Sequence, residues 1–152
     1  MNTISSIIRK AHDYYFTQWR GSEKICPAFG EKVYVTGLGW RHIAKHPRRL
    51  LVDKLIRLRN LSLAREVLEE STTYQTVQHK GKYILYGFRA IKGDRVIKVV
   101  VSSRGEEGKK VLYSVMFRRI SKQEQRKIIQ HNKKTVDEFR RKNPRKNSKT
   151  RK

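Results

Sequence analysis

Cysteine is almost absent from this chain of 152 residues, in which Cys26 stands alone. A single thiol excludes an internal disulfide and any zinc site built from several cysteines. We expect Cys26 to be a buried thiol that packs like a small apolar side chain. Because nothing in the cysteine content calls for an oxidising environment, the expected location is the reducing cytoplasm.

Long apolar runs are missing as well. No stretch of the chain approaches the roughly 20 apolar residues that a membrane-spanning helix needs. The apolar segment at residues 4–8 is too short for the core of a secretory signal, and charged residues follow it. The sequence therefore predicts neither a signal peptide nor a membrane partner.

Acidic residues are scarce, since 13 Asp+Glu stand against 37 Lys+Arg and give a formal net charge of +24. Such an imbalance destabilises a compact chain by self-repulsion, so an anionic partner is expected. Nucleic acid is the first candidate and is preferred to the second, an anionic membrane surface, so no membrane partner is assigned. The charge is densest from residue 122 onward, where 13 Lys+Arg accompany three Asp+Glu.

Apolar spacing predicts one α+β domain with a further segment on each side. An N-terminal helix and loop are expected over residues 1–31, the domain over 32–120, and a basic helix with a disordered tail over 121–152. The domain begins with a short strand and three helices. From residue 71 the apolar period changes to two, which predicts four strands joined by tight turns. The expected fold is therefore α+β, with N-terminal helices packed on a four- to five-stranded antiparallel sheet and a basic C-terminal helix and tail.

Two histidines four residues apart, His42 and His46, mark the candidate working end of the chain. On a helix this spacing puts both imidazoles on one face, about one turn apart, and Pro47 closes the segment. Several residues around the pair are predicted to contact RNA: Trp40, Arg41, Lys45, Arg48 and Arg49. Because like charge disfavours protonation, these cations should keep a nearby imidazole neutral.

A histidine pair can transfer protons, bind a metal ion, or do neither. The zincin pattern fails here, because Ile43 follows the first histidine where that pattern has a glutamate, and no third ligand lies nearby. We therefore assign no metal and no cofactor. The alternative that both histidines merely pack or face solvent stays open.

Three polar residues interrupt the otherwise apolar strands: Arg89, Lys98 and Ser114. Alternation along the last strand puts Ser114 on the side of Leu112 and Met116, with Tyr113 facing the other way. Whether the three polar residues share a face depends on the register between strands, which the sequence leaves open. An outward-facing, solvated position accounts for each of them equally well.

These groups include the parts that RNA cleavage without a metal requires. A base takes the proton from the ribose 2′-OH, an acid protonates the leaving 5′ oxygen, and a cation stabilises the charge on the phosphate. His42 and His46 can carry the protons, because the ordinary pKa of histidine is about 6.5. Arg89 or Lys98 can supply the cation, and Ser114 can hold a phosphate oxygen by its hydroxyl.

Two aromatic residues complete the candidate site. Tyr86 can hold a phosphate oxygen by its hydroxyl in the same way as a serine. Trp40 or Tyr86 can stack on a base, as aromatic side chains do in proteins that bind single-stranded RNA.

The order of these segments resembles that of nucleases in the Barnase–EndoU–colicin–RelE (BECR) superfamily, of the phage and mobile-element type. The segments that carry the resemblance are Val33–Thr36, His42-Ile43-x-x-His46-Pro47, Ala64–Leu68, Tyr83–Arg89, Val96–Val101 and Ser114. The resemblance implies a metal-independent ribonuclease, often a toxin held in check by a partner protein. It places His46 at the helix histidine of that family, Arg89 at a basic position on a middle strand, and Ser114 at the Ser/Thr of the last strand, with His42 as a weaker match.

Two functions follow as alternatives. The preferred one is an endoribonuclease that acts by acid–base transesterification, as a toxin or mobile-element effector, with RNA and a neutralising antitoxin or immunity protein as partners. The other is a non-catalytic basic RNA-binding protein, associated with the ribosome, whose affinity comes from contacts between the basic tail and phosphates. A DNA-binding role is not favoured, because no helix-turn-helix with a recognition helix is evident.

Overall fold

Helices and one sheet make up the described part of the protein, residues 3–142 of a computed structural model. The helices are α1 (Thr3–Asp13), α2 (Gly37–Ala44), α3 (Leu51–Arg59), α4 (Leu61–Glu70) and α5 (Lys122–Lys142), and a π-helical segment, Tyr14–Trp19, continues α1. The strands are β1 (Val33–Tyr34), β2 (Thr76–Lys80), β3 (Tyr83–Lys92), β4 (Arg95–Arg104) and β5 (Lys110–Arg119). This architecture confirms the predicted α+β class, with a basic helix at the C-terminal end.

The sheet has the strand order β1-β5-β4-β3-β2. Strands β2 to β5 form the predicted antiparallel meander, with β4 at the centre and Gly81 at a φ of 61° in the turn between β2 and β3. Strand β1 pairs with β5 in parallel, so the sheet is mixed rather than wholly antiparallel. A helix-containing connection leads from β1 toward the meander, and only such a longer connection permits a parallel pair.

One face of the sheet is buried under the helices. Its residues on the two middle strands alternate strictly and include Phe88, Ile97, Val99 and Val101, all fully buried. They join residues of α1, α2 and α4 in one apolar core, to which the buried Cys26 also belongs. The expected buried thiol is confirmed, and burial raises its pKa to about 11.

The opposite face of the sheet, called the outer face below, is more polar. It is defined by the residues Tyr83, Leu85, Arg89, Lys98, Ser114 and Met116. Helix α5 crosses one end of this face, where Ile128 is buried. Its N-terminus is capped as predicted, because the Glu124 backbone N–H donates to Ser121 Oγ at 3.2 Å.

A β-bulge interrupts β5. Val100 pairs with Ser114 while Val101 pairs with Leu112, so Tyr113 is an extra residue on that strand. The alternation predicted for this strand was therefore wrong at two residues. Leu112 is fully buried on the core face, and Tyr113 lies on the outer face, where it lines a pocket together with Leu85.

No helix within residues 3–142 is both long and apolar enough to cross a membrane. The predicted disordered tail, from residue 143 onward, lies outside the described residues.

Candidate active site

Helix α2 lies close against β5, and Gly39 makes this approach possible. A Cβ atom built on Gly39 would lie 2.6 Å from both the Leu112 carbonyl oxygen and Tyr15 Oη. Tyr15 Oη in turn donates a hydrogen bond to the Thr36 carbonyl at 2.8 Å, directly before the helix begins. Because Gly39 has no side chain, the backbone of α2 can lie directly against β5 at this point.

The two histidines meet at the C-terminal end of α2. The helix ends at Ala44, so His42 is helical while His46 lies two residues beyond the end, which corrects the expectation that both share one helical face. Pro47 is the physical reason, because it disfavours the helical region for the residue before it. The two rings are nevertheless neighbours, with centroids 5.5 Å apart. The imidazole of His42 also contacts the ring of Tyr113, with centroids 4.5 Å apart.

Two arginines fix this end of α2 and the neighbouring strand. Arg49 Nη1 donates to the carbonyl oxygens of His42, at 2.5 Å, and Ile43, at 3.1 Å. Arg57, which is buried, donates from Nη1 to the Val115 carbonyl on β5. Arg49 was predicted to contact RNA, but its Nη1 is bound to the backbone, which gives it a positioning role next to the histidines.

The surroundings of His42 favour its neutral form. Burial lowers the pKa of the imidazole, and the positive charges of Arg49, His46, Arg57 and Lys80 lower it further. The effect of basic neighbours on a histidine was expected from the sequence. Burial, however, is the largest cause of the lowered pKa. Four cations were predicted to lower it, namely Arg41, Lys45, Arg48 and Arg49, and only Arg49 does so. Within residues 3–142, Nδ1 of His42 is buried and has no hydrogen-bond partner.

His46 is partly exposed and has a defined contact at one ring nitrogen. The backbone N–H of Arg48 donates to His46 Nδ1 at 3.4 Å. In that arrangement Nδ1 is an acceptor, and the neutral ring carries its proton on Nε2. His46 can therefore donate a hydrogen bond from Nε2 to a ligand, while the surroundings of His42 favour its neutral form.

The strand register places Arg89, Lys98 and Ser114 on the same outer face. Arg89 pairs with Lys98, Lys98 pairs with Met116, and Ser114 pairs with Val100, two residues from Lys98. Lys98 and Ser114 are thus diagonal neighbours on adjacent strands, about 7–8 Å apart. Ser114 follows Tyr113, which contacts His42, so Ser114 lies on the strand next to the histidine pair. Lys98 lies one strand further away, and its side chain lies toward β3, where a Cβ added to Gly87 would be 3.7 Å from Lys98 Cε.

Arg89 belongs to a different part of the outer face. It lies on β3, two strands from β5, which is a lateral distance of about 10 Å. Its Nη2 is 2.7 Å from His131 Nδ1 on α5, and Asn132 Nδ2 donates to the Arg89 carbonyl at 2.8 Å. The sequence reasoning missed His131, because no local pattern connects a residue on the C-terminal helix with a strand residue 42 positions earlier.

Two of the predicted RNA-binding residues are not available at the surface. Trp40 and Tyr86 are each 6% exposed, the first against Tyr15 and Phe16 and the second against Phe29 on the core face. Neither ring has a free face on which a base could stack, so this prediction was wrong for both. Large aromatic side chains bury the most apolar area per residue, so burying them stabilises a small core strongly.

Other cations predicted to contact RNA are exposed. Arg41 and Arg48 face solvent, and the only hydrogen bond recorded for the Arg41 side chain within the described residues is from Nε to the Gly37 carbonyl at 3.4 Å. Lys45 is exposed as well but lies on the α1 side of the helix, where it lines a shallow pocket with His12 and Phe16. All three are close to the histidine pair in sequence, but none of them is among the charges that lower the pKa of His42.

Lys80 and Tyr113 are site residues that the sequence reasoning missed. Lys80 ends β2 and acts on the pKa of His42, and Tyr113 contacts its ring. Strand alternation assigned Tyr113 to the other face, so only knowledge of the bulge would have revealed it.

Among residues 3–142, no three His, Cys, Asp or Glu side chains are grouped so that they could hold a metal ion. No protein-family model, no curated protein and no solved structure matches this chain.

Proposed function

We propose that this protein is a metal-independent endoribonuclease that cuts RNA by acid–base transesterification. The observation that supports this most strongly is the pair of imidazoles, His42 and His46, with centroids 5.5 Å apart at a basic edge of the outer face. The lowered pKa of His42 suits a general base, and His46 is the neighbouring imidazole that can act as the acid in its protonated form.

In the proposed reaction, neutral His42 accepts the proton of a ribose 2′-OH. The 2′ oxygen then bonds to the adjacent phosphorus while the bond from phosphorus to the 5′ oxygen breaks. The acid in this step is the imidazolium form of His46, which gives its Nε2 proton to that leaving oxygen and becomes neutral; in that form Nδ1 also carries a proton, so the contact from the Arg48 N–H has to open first. The products are a 2′,3′-cyclic phosphate on one fragment and a 5′-OH on the other, and proton exchange with water restores both imidazoles.

The charge that develops on the phosphate needs a nearby cation and a hydrogen-bond donor. Lys98 supplies the cation in this proposal: its backbone is a diagonal neighbour of Ser114, and its flexible side chain, which lies near Gly87 on β3, would turn toward Ser114 when RNA binds. The hydroxyl of Ser114 donates to a phosphate oxygen. Arg89 is separated from the histidines by two strands and is held by His131. We therefore assign it to a phosphate further along the same RNA strand.

The proposal extends to the biological setting. Of the residues that the BECR resemblance singles out, Arg89 and Ser114 lie on the outer face, on β3 and β5. A toxin or mobile-element effector of that kind would act on cellular RNA and would be neutralised by an antitoxin or immunity protein. The supporting evidence for this setting is the resemblance alone.

The test is cleavage of RNA by purified protein in the presence of a metal chelator. His42→Ala and His46→Ala should each lower the rate by about 100- to 10,000-fold, the range for loss of a general acid or base. Lys98→Ala and Arg89→Ala should weaken cleavage less severely. His79→Ala is the matched control, because His79 is exposed on β2 and lies outside the candidate site. Cleavage that needs added metal, or that survives both histidine substitutions, would defeat the mechanism.

A second candidate, a non-catalytic RNA-binding protein, is favoured by helix α5. This helix carries eight Lys+Arg against three Asp+Glu and lies across the outer face. Its contacts with RNA would be directed at phosphates and strongly salt-dependent. Expression in a host cell separates the two candidates, because a nuclease should be toxic and its His46→Ala variant tolerated. A binding protein should be tolerated in both forms, and deletion of residues 143–152 should abolish its function.

A further inference from the structure

A pocket of about 320 Å³ opens on the outer face next to the histidine pair, and nothing assigned so far uses it. Its lining residues come from α2 and from strands β2 to β5: Leu38, Lys80, Tyr83, Leu85, Ser102 and Tyr113. We propose that this pocket binds one unpaired nucleobase of the RNA strand, next to the phosphate that is cut. The inference rests on the proposed RNA-directed function and adds the group by which the site would choose where to cut.

The position of the pocket connects it to the chemistry. Tyr113 lines the pocket and also contacts the ring of His42, with centroids 4.5 Å apart. A base held against Tyr113 would therefore belong to a nucleotide whose ribose or phosphate lies at the imidazoles. Lys80 borders the same pocket and acts electrostatically on His42, so it can contact the phosphate attached to that nucleotide.

The walls of the pocket fit a flat, partly apolar ligand with a polar edge. Tyr83 on β3 is 50% exposed, which leaves its ring free to stack, and Leu85 provides an apolar floor. Base–aromatic stacking tolerates every base, because each has a π-face. Apolar and aromatic walls with a few polar groups are the usual character of a small-molecule site.

One polar group at the floor can read the edge of a base. Ser102 pairs with Leu85 across β3 and β4 and is buried on the outer face. Its hydroxyl makes no hydrogen bond with any other residue from 3 to 142, and it can both donate and accept. A ring nitrogen, carbonyl or amino group of the base would satisfy it, which makes Ser102 the specificity-determining residue of the pocket.

The test measures binding rather than cleavage, so that it stands apart from the proposed reaction. Full-length protein is titrated with fluorescein-labelled 2′-O-methyl oligonucleotides, which lack the attacking hydroxyl. One set of oligonucleotides carries bases, and the other set has the same backbone with abasic residues. Wild-type protein should bind the best base-bearing strand roughly 5- to 150-fold more tightly than the abasic strand, as one stacked base contributes. Tyr83→Ala should reduce that ratio toward one while leaving the affinity for the abasic strand unchanged.

Two further variants sharpen the result. Tyr34→Ala removes an exposed tyrosine on β1, outside the pocket, and should leave the ratio intact. Ser102→Ala should keep the ratio but change which of the four bases binds best. Equal affinity for base-bearing and abasic strands, or a ratio that Tyr83→Ala leaves unaltered, would overturn the base-binding pocket. That outcome would leave a protein segment as the alternative occupant.

The two proposals fail separately. If wild-type protein discriminates between the base-bearing and abasic strands through Tyr83 but cuts no RNA, the pocket stands and the proposed catalysis falls. If it cuts RNA but shows no such discrimination, the catalysis stands and the pocket falls.

Discussion

The imidazole of His42 lies against the ring of Tyr113, with centroids 4.5 Å apart and planes inclined by 36°. Tyr113 can reach this position because the bulge in β5 turns it onto the outer face beside Ser114. The contact joins the end of α2 to the part of β5 that carries Ser114. The proposed chemistry therefore depends on how closely α2 lies on β5.

Gly39 should be the most sensitive residue for that approach. Its missing Cβ leaves room for the Leu112 carbonyl and Tyr15 Oη, so Gly39→Ala has to push α2 away from the strand. We expect a loss of about 1–3 kcal/mol in the free energy of unfolding, as overpacking costs, together with loss of cleavage. Urea denaturation and RNA cleavage by the same samples measure both effects.

Gly37→Ala is the matched control, because it lies in the same helix and its added Cβ would meet no atom within 4 Å. It should be neutral or slightly stabilising, since alanine is the better helix former. Equal damage from both substitutions would mean that the close approach of α2 to β5 has no special importance.

The titration of His42 provides a second prediction. Burial and the charge of Arg49 lower its pKa, so the imidazole resonances of His42 should titrate below the ordinary midpoint of about 6.5. Arg49→Gln removes one positive charge and should move the midpoint upward. Arg59→Gln, an exposed substitution near the end of α3, should leave it unchanged. NMR titration of the assigned histidine signals measures all three midpoints.

The same lowered pKa affects stability at acid pH. When the pH falls below about 6.5, an unfolded chain protonates His42 before the folded chain does, so the unfolded state binds more protons. The free energy of unfolding should therefore decrease as the pH falls through this interval, and the full contribution is present only above it. Melting temperatures of wild-type protein should fall more steeply on acidification than those of His42→Gln, and parallel curves would contradict the lowered pKa.

Arg57 should contribute to stability rather than to RNA binding. It is buried and donates to the Val115 carbonyl at the open edge of β5. Arg57→Leu leaves that carbonyl without its partner, so we expect a loss of about 1–3 kcal/mol in the free energy of unfolding. Arg59→Leu, on the same helix but exposed, should have little effect. If denaturation curves show equal losses for both, the buried hydrogen bond does not stabilise the fold.

The sequence predicted the general fold well because its signals were local. Gly81 at the hairpin and Ser121 before the C-terminal helix act within a few residues, and both lie where they were expected. The parallel pairing of β1 was missed, because it depends on the path of a distant connection. The face of Tyr113 was missed for a related reason, since a bulge depends on the neighbouring strand and not on the sequence of β5 alone.

The candidate site was predicted only in part. The sequence left open whether Arg89, Lys98 and Ser114 share a face, and the strand register shows that they do. Trp40 and Tyr86 were predicted at the RNA-binding surface but are buried in the core. The sequence alone does not distinguish these two positions for an aromatic residue in a basic chain. The contact between Arg89 and His131 requires the complete fold and has no counterpart in any local motif.

The chemistry of RNA fragment ends is the most direct measurement of whether the two imidazoles act on a phosphodiester. Wild-type protein is incubated with RNA in chelator, the cut is mapped, and the same RNA is resynthesised with a single 2′-deoxynucleotide at the mapped position. We expect mass spectrometry to find a 2′,3′-cyclic phosphate on one fragment, and we expect no cut in the deoxy-substituted RNA or with His42→Ala. No cleavage of any RNA, fragments that end in a 3′-OH, or an undiminished cut at the deoxy position would contradict the proposed histidine-based transesterification.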